Sequence, residues 1–291
     1  MITMEIAKLV AVEVGKRLPD MTCTAVDVPK TNGVHRVGVS IKDEYNPYSI
    51  VIYFDDVTSH IIGDLADEVI WRYDHRPKDE PVNCNITRER ILDNVIFKII
   101  SKEKNGELLA TAPCFNALDL AAVYIVPIEM RDRGSAAYFT ITHNIINQLA
   151  IDVADLHLAA MKNTRRYYDF AVRSIDEIAV EIGMNDLIAS KDSSENFMYV
   201  GRGKAVTHYG ATILLYPDYF ACIADEIGSD LYIIPSSTDE VIAVPAFDFD
   251  PTILKSMCLT VNETEVDAEK QLGDTIYKYS RVTRSIGIAL Q

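Results

Sequence analysis

DLYIIPSSTDEVIAVP, residues 230–245, sets two short apolar runs, 231–234 and 241–244, on either side of a polar turn. Runs this short, rich in β-branched residues and parted by Ser, Thr and Asp, read as two strands of a hairpin. Working outward, the spacing predicts a strand at 211–215, a helix at 218–227, the two hairpin strands, a helix at 251–261 and a strand at 275–279. This β-α-β-β-α-β order is the ferredoxin-like one, in which two helices cover one face of an antiparallel sheet. Pro251 suits the first turn of its helix, where a missing amide costs nothing.

Further upstream the pattern predicts a helix over 2–18, ended by Pro19, and strands over 34–41 and 49–54 that follow the Asn32-Gly33 turn. Helices are expected at 58–73 and 88–100, a turn at Asn105-Gly106, and strands at 108–111, 119–128 and 136–142. Residues 143–163 are apolar almost all round a helix, which predicts a buried connector, and 167–182 reads as another helix. The polar stretch 190–196 supplies a soft boundary. The expected class is therefore α+β, with an N-terminal mixed α/β region over 1–190 and a ferredoxin-like region over 191–291.

The chain carries, in this order, NGV at Asn32, IVIYFDD before the Trp71 helix, KNGELL at Lys104, DLAAVY at Asp119, YIIPSSTDEVIAVP, VNETEV at Val261 and GDTIYKYSR ending at Arg281. Together these segments resemble an uncharacterised bacterial family, domain of unknown function 5688, frequent in Firmicutes and their mobile elements. HNIINQLAID, starting at His143, departs from the family's pattern, which has a tryptophan-containing helix start there. The resemblance implies a bacterial intracellular setting and assigns no catalytic residue.

Composition narrows the function classes. The 291 residues are 48% hydrophobic, enough for sizeable cores. No apolar run approaches the roughly 18 residues that a membrane span needs, and the N-terminal stretch does not read as a signal peptide. A cytoplasmic setting is the expectation. The five cysteines form no C-x-x-C pair, so neither a disulfide framework nor a zinc knuckle is suggested. The formal charge of −15 repels phosphate backbones, which disfavours direct nucleic-acid binding and favours a basic partner. No cofactor is expected.

Four groups of residues could carry function. Ser236, Ser237, Thr238, Asp239 and Glu240 crowd hydroxyls and carboxylates into one turn, yet a serine nucleophile also needs a positioned base and oxyanion donors. No G-x-S-x-G elbow surrounds either serine, and the nearest histidine in sequence, His208, belongs to another element. A polar turn that satisfies backbone donors is the simpler reading. Gly201-Arg202-Gly203-Lys204 reads as a glycine hairpin, since no capped helix follows to bind phosphate. Asp55 and Asp56, at a strand end, could cap a helix or, with His143, hold a divalent ion. The remaining group is the 58–73 helix, where Ile61, Ile62, Leu65, Ala66, Val69 and Tyr73 share one side. Trp71 falls on the other, among His60, Asp64 and Asp67.

An exposed tryptophan invites a cover, whether another segment such as 76–82, a second copy of the chain, or a partner. The leading expectation is a non-enzymatic acidic interaction protein that uses the Trp71 face, one version being an inhibitor of a basic nucleic-acid-binding protein. The alternatives are a hydrolase or metal-assisted enzyme on Ser236–Glu240 or on Asp55, Asp56 and His143, and a small-molecule sensor.

Overall fold

The computed structural model describes residues 3–43, 49–54, 61–75, 86–128, 137–181, 198–204 and 206–290. It is mixed α+β and divides into two compact units, Met1–Cys84 and Asn85–Gln291. The boundary expected at 190/191 lies outside the described residues. The strands that flank it, β8 (Phe170–Ser174) and β9 (Tyr199–Gly203), pair antiparallel in one sheet, and the compact units part about a hundred residues earlier.

The first unit runs α1 (Met4–Arg17), β1 (Met21–Pro29), β2 (His35–Asp43), β3 (Ser49–Tyr53), α2 (Ile62–Asp74). The three strands form an antiparallel sheet in the order β1-β2-β3. Thr3 starts α1 by accepting the Ile6 N–H at 3.3 Å, and Lys16 and Arg17 stand at its negative end. Ala7, Val10, Ala11 and Val14 of α1 meet Leu65, Ala66, Val69 and Tyr73 of α2 over Val39, Ile41 and Ile52. Apolar spacing of three and four residues in both helices dictates this arrangement.

The second unit holds two sheets. One is built on β6 (Leu120–Ile128), which pairs with β4 (Ile96–Ser101) along one edge and with β5 (Cys114–Ala117) and β7 (Ala137–Thr140) along the other. The other sheet has the order β13-β12-β10-β11-β9-β8, with β10 (Leu231–Ile234), β11 (Val241–Pro245), β12 (Ile276–Ser280) and β13 (Ser285–Leu290). A shared core lies between them, with Ile99, Ile100 and Leu120 from the first and Phe170, Leu231, Ile233, Tyr277 and Tyr279 from the second.

Every residue of β4 is buried, although β6 is its only strand neighbour among the described residues. Side chains complete its other edge. Thr164 Oγ1 accepts the Phe97 N–H at 2.8 Å, Thr212 Oγ1 accepts the Ile99 N–H at 3.4 Å, and the Tyr168 hydroxyl donates to the Phe97 carbonyl at 3.3 Å. Thr164 and Tyr168 lie on α6 (Val153–Tyr168) and Thr212 on the 3-10 turn Gly210–Leu215. An edge strand without such partners would leave amides dry and unsatisfied.

Several elements differ from the sequence expectation. The helix expected at 88–100 is α3 (Arg88–Asn94) followed by β4, because VIFKII is β-branched and aromatic and Val95 turns extended. The strand expected at 108–111 is α4 (Gly106–Thr111). The buried connector at 143–163 is broken into α5 (His143–Gln148) and α6, where Ala150 takes a left-handed φ of 49° and Asp152 caps the new helix. Nor is α6 buried all round, since Leu158 is 69% exposed. The helix at 167–182 is the end of α6, then β8, then α7 (Ile175–Glu181).

The ferredoxin-like order also fails at its first strand. Residues 211–215 form a 3-10 turn, followed by a second at Pro217–Phe220 and by α8 (Ala221–Ile227). The rest of the reading, β10, β11, α9 (Pro251–Thr264) and β12, is present, and β8, β9 and β13 extend the sheet. The glycine hairpin expected at Gly201–Lys204 is largely strand. Gly203 stands in β9 because a Cβ there would collide with the Val206 carbonyl oxygen.

Replacing the Thr164 hydroxyl by a methyl leaves the Phe97 amide buried without an acceptor. Thr164→Val is expected to lower unfolding free energy in urea by about 1–3 kcal/mol, and Thr164→Ser by clearly less.

Candidate functional site

The Ser236–Glu240 turn connects β10 to β11, and its polar groups are engaged with the chain around it. Ser236 N–H donates to the Ile234 carbonyl at 3.0 Å, and Ser237 N–H to the Glu240 carbonyl at 3.2 Å. Ser237 Oγ accepts the Asp239 N–H at 3.1 Å. Thr238 is 1% exposed; its N–H donates to the Lys270 carbonyl at 2.7 Å and its carbonyl accepts the Ala211 N–H at 3.2 Å. The Asp239 carboxylate accepts the Tyr209 N–H at 3.0 Å through Oδ1 and Lys270 Nζ at 2.7 Å through Oδ2. Glu240 lies 3.6 Å from Arg202.

Gly210 lets the turn approach this closely, since a Cβ there would collide with the Asp239 carbonyl oxygen. Among the described residues no hydrogen bond joins a histidine to Ser236 or Ser237. The turn thus holds the 203–211 segment against the 268–271 segment, and the serine–base pair that hydrolysis requires is not formed there.

Beside this turn lies a group that sequence reading missed. Lys98 sits in the middle of β4, only 8% exposed, with its Nζ 4.2 Å from the centre of the Tyr209 ring. Tyr209, held at a left-handed φ of 59°, meets the edge of Tyr138 at 5.2 Å. The Tyr138 and Tyr167 hydroxyls are 3.3 Å apart. Burial pulls the Lys98 amine down to about 8, against the opposing pull of Glu269 and Asp239. Burial raises the phenols of Tyr138 and Tyr209, so both stay protonated at neutral pH. The tyrosine faces and the two acids shelter an ammonium that water no longer solvates. A lysine inside an apolar run read as helix gave no sign of this, because only the register of β4 turns it inward.

The first unit presents the other candidate. Leu65, Ala66, Val69 and Tyr73 are buried, and Trp71 on the opposite side of α2 is 61% exposed. His75 stacks on its ring with centres 4.5 Å apart, and His75 Nδ1 lies 2.8 Å from the Trp71 carbonyl oxygen, placed to donate to it. Asp64, Asp67 and Asp74 are exposed on the same helix, Asp67 tied to Arg17 and Glu68 to Arg72 at 2.6 Å. The tryptophan is thus held in place while its outer surface stays in water.

His60, Asp55 and Asp56 lie outside the described residues, as does the 76–82 segment offered as a cover for Trp71. His143 is exposed at the start of α5, where Thr142 Oγ1 caps the helix by accepting the Ile145 N–H. Among the described residues no group of three His, Cys, Asp or Glu side chains is placed to hold a metal ion, and no helix is long and apolar enough to cross a membrane.

A family model matches residues 3–281, and its description is a family of unknown function (DUF5688). The chain belongs to that family. No curated protein and no solved structure matches it.

The Lys98 environment makes stability depend on pH. Below about 8 the amine is charged in folded and unfolded chains alike, and its burial is fully unfavourable. Between about 8 and the ordinary 10.5 the unfolded chain holds the proton more tightly, so stability rises with pH. The rise is on the order of 3 kcal/mol. In urea titrations at pH 7.5 and 10 the stability difference between the native protein and Lys98→Met is expected to move in the native protein's favour by about this amount, the raised phenols and the Cys258 thiol acting in both chains alike.

Proposed function

We propose that this member of the family is a non-enzymatic interaction protein that engages a basic protein partner through the Trp71 face of α2. The observation that carries this reading is a tryptophan left 61% exposed on an acidic helix face yet stacked against His75. A solvated indole forgoes a large hydrophobic gain, and tryptophan is among the residues that most often anchor interfaces. Asp64 and Asp74 are exposed on the same helix, Asp67 being paired with Arg17, and a net charge of −15 on the whole chain draws a cationic partner at long range.

A basic nucleic-acid-binding protein is the partner chemistry that this charge suits, so inhibition of such a protein is the concrete form of the proposal. An intracellular, cytoplasmic setting fits it. The hydrolase reading draws no support from the Ser236–Glu240 turn, whose groups are engaged in holding neighbouring segments. A second copy of the chain on the Trp71 face is an outcome that the following test separates.

Trp71 is the chain's single tryptophan, so its fluorescence reports this face alone. The isolated protein is expected to show red-shifted emission that acrylamide quenches readily. Tagged protein used as bait in host lysate is expected to retain one stoichiometric basic partner at low salt, to lose it at high salt, and to lose it in Trp71→Ala by about 2 kcal/mol or more. Emission already shielded in the monomer, or capture indifferent to both salt and Trp71→Ala, would refute the reading; shielding that appears only with rising concentration would identify self-association.

A further inference from the structure

One side of α9 is fixed to the second unit. Leu254 and Cys258 are buried, Leu254 in one core cluster with Val244 and Ile276, and Asn262 donates to the Gly273 carbonyl at 2.9 Å. A solvated helix face is normally polar. This one is not, since Ile253, Met257 and Val261 are exposed by 61%, 55% and 43%. They stand four residues apart, which places them in one row along the helix.

A second row runs beside the first, made of Ser256, Thr260 and Thr264, each three residues after a member of the apolar row. Their hydroxyls each donate at 3.1 Å to the carbonyl four residues earlier, on Thr252, Ser256 and Thr260. Such back-bonding leaves no hydroxyl donor that burial would strip of water. The face therefore sets a ridge of large side chains next to a groove of small ones, and both tolerate drying.

Charge is scarce on this helix. Its fourteen residues include one base and one acid, Lys255, held 3.2 Å from Asp274, and Glu263 near the end. A basic partner finds no row of carboxylates here, and an anionic membrane surface repels a chain of net charge −15. A second copy of the chain, by contrast, brings an identical uncharged ridge and groove.

We propose that α9 is a self-association face, on which a second copy packs antiparallel about a two-fold axis through Met257. Ile253 and Val261 are equally spaced from Met257 along the helix. The axis thus sets Met257 against the partner subunit's Met257, and Ile253 against the partner subunit's Val261, with each ridge in the other's groove. One helix face per copy is small beside the about 800 Å² per partner of a standard interface, so the dimer is weak. The −15 on each copy opposes association until salt screens it, so dimerisation strengthens with salt, opposite to capture of a basic partner.

Sedimentation velocity of the purified full chain, run from about 1 to about 500 µM at low and at high salt, tests this. A monomer–dimer equilibrium is expected, with more dimer at high salt. Met257→Lys and Met257→Glu are each expected to weaken it about tenfold or more, because the axis sets like charges against each other. Mixed together, the two variants are expected to dimerise again, as a contact of residue 257 with its own copy requires. Trp71→Ala is expected to leave the equilibrium unchanged. Met257 is exposed, and thermal melting of each variant checks that it folds. A monomer at every concentration overturns the proposal. So does a dimer indifferent to both Met257 variants, one that salt dissociates or that Trp71→Ala abolishes, or variants that stay monomeric when mixed.

Discussion

The second unit depends on one constraint: a six-residue strand, β4, is buried along its whole length with, among the described residues, a strand on only one side. Backbone amides in that position need acceptors, and an unsatisfied buried amide costs about 1–3 kcal/mol. Thr164 and Thr212 accept two of these amides through their hydroxyls, Tyr168 donates to the Phe97 carbonyl, and together they set where α6 and the Gly210–Leu215 turn lie against the sheet. The 3-10 turn that replaces an expected strand thus has a structural role. It carries Thr212 to the open edge of β4, where another strand would instead have paired through its own backbone.

The same turn ties this edge to the hairpin that the sequence displays most openly. Ala211 donates to the Thr238 carbonyl, Tyr209 donates to Asp239, and Tyr209 covers Lys98 in the middle of β4. Hydroxyls and carboxylates that could suggest catalysis are engaged as struts between neighbouring segments. Their concentration in one loop has a physical reason, because a segment that approaches other backbone closely must carry its own hydrogen-bonding groups. The chain's candidate binding surface lies elsewhere, at an exposed ring on an acidic helix of the first unit.

Much of the fold was legible where periodicity was strong and local. α1, the buried side of α2, β2, β3, β6, the β10–β11 hairpin, α9 and β12 follow from apolar spacing, and Trp71 falls on the exposed side of α2 as that spacing requires. The misreadings gather where apolar runs are continuous. VIFKII has no period with which to separate strand from helix, and the 143–163 run hid a break at Ala150 that needs a left-handed residue other than glycine. β1, β5 and β13 were missed altogether. Each lies at a margin of its sheet or is short, and it gains its stability from pairing more than from composition.

By itself, the sequence determined the α+β class, the family, the strong negative charge and the faces of the helices with clear periodicity, because each of these follows from residue type and spacing along the chain. Tertiary structure alone decided that Lys98 would be buried over Tyr209 within the pull of Glu269, that Asp239 would brace Tyr209 and Lys270, and that the chain would divide after Cys84. These outcomes join residues up to 171 positions apart, as with Lys98 and Glu269. Local propensity carries no information on such pairs; strand register and the need to satisfy buried backbone select them.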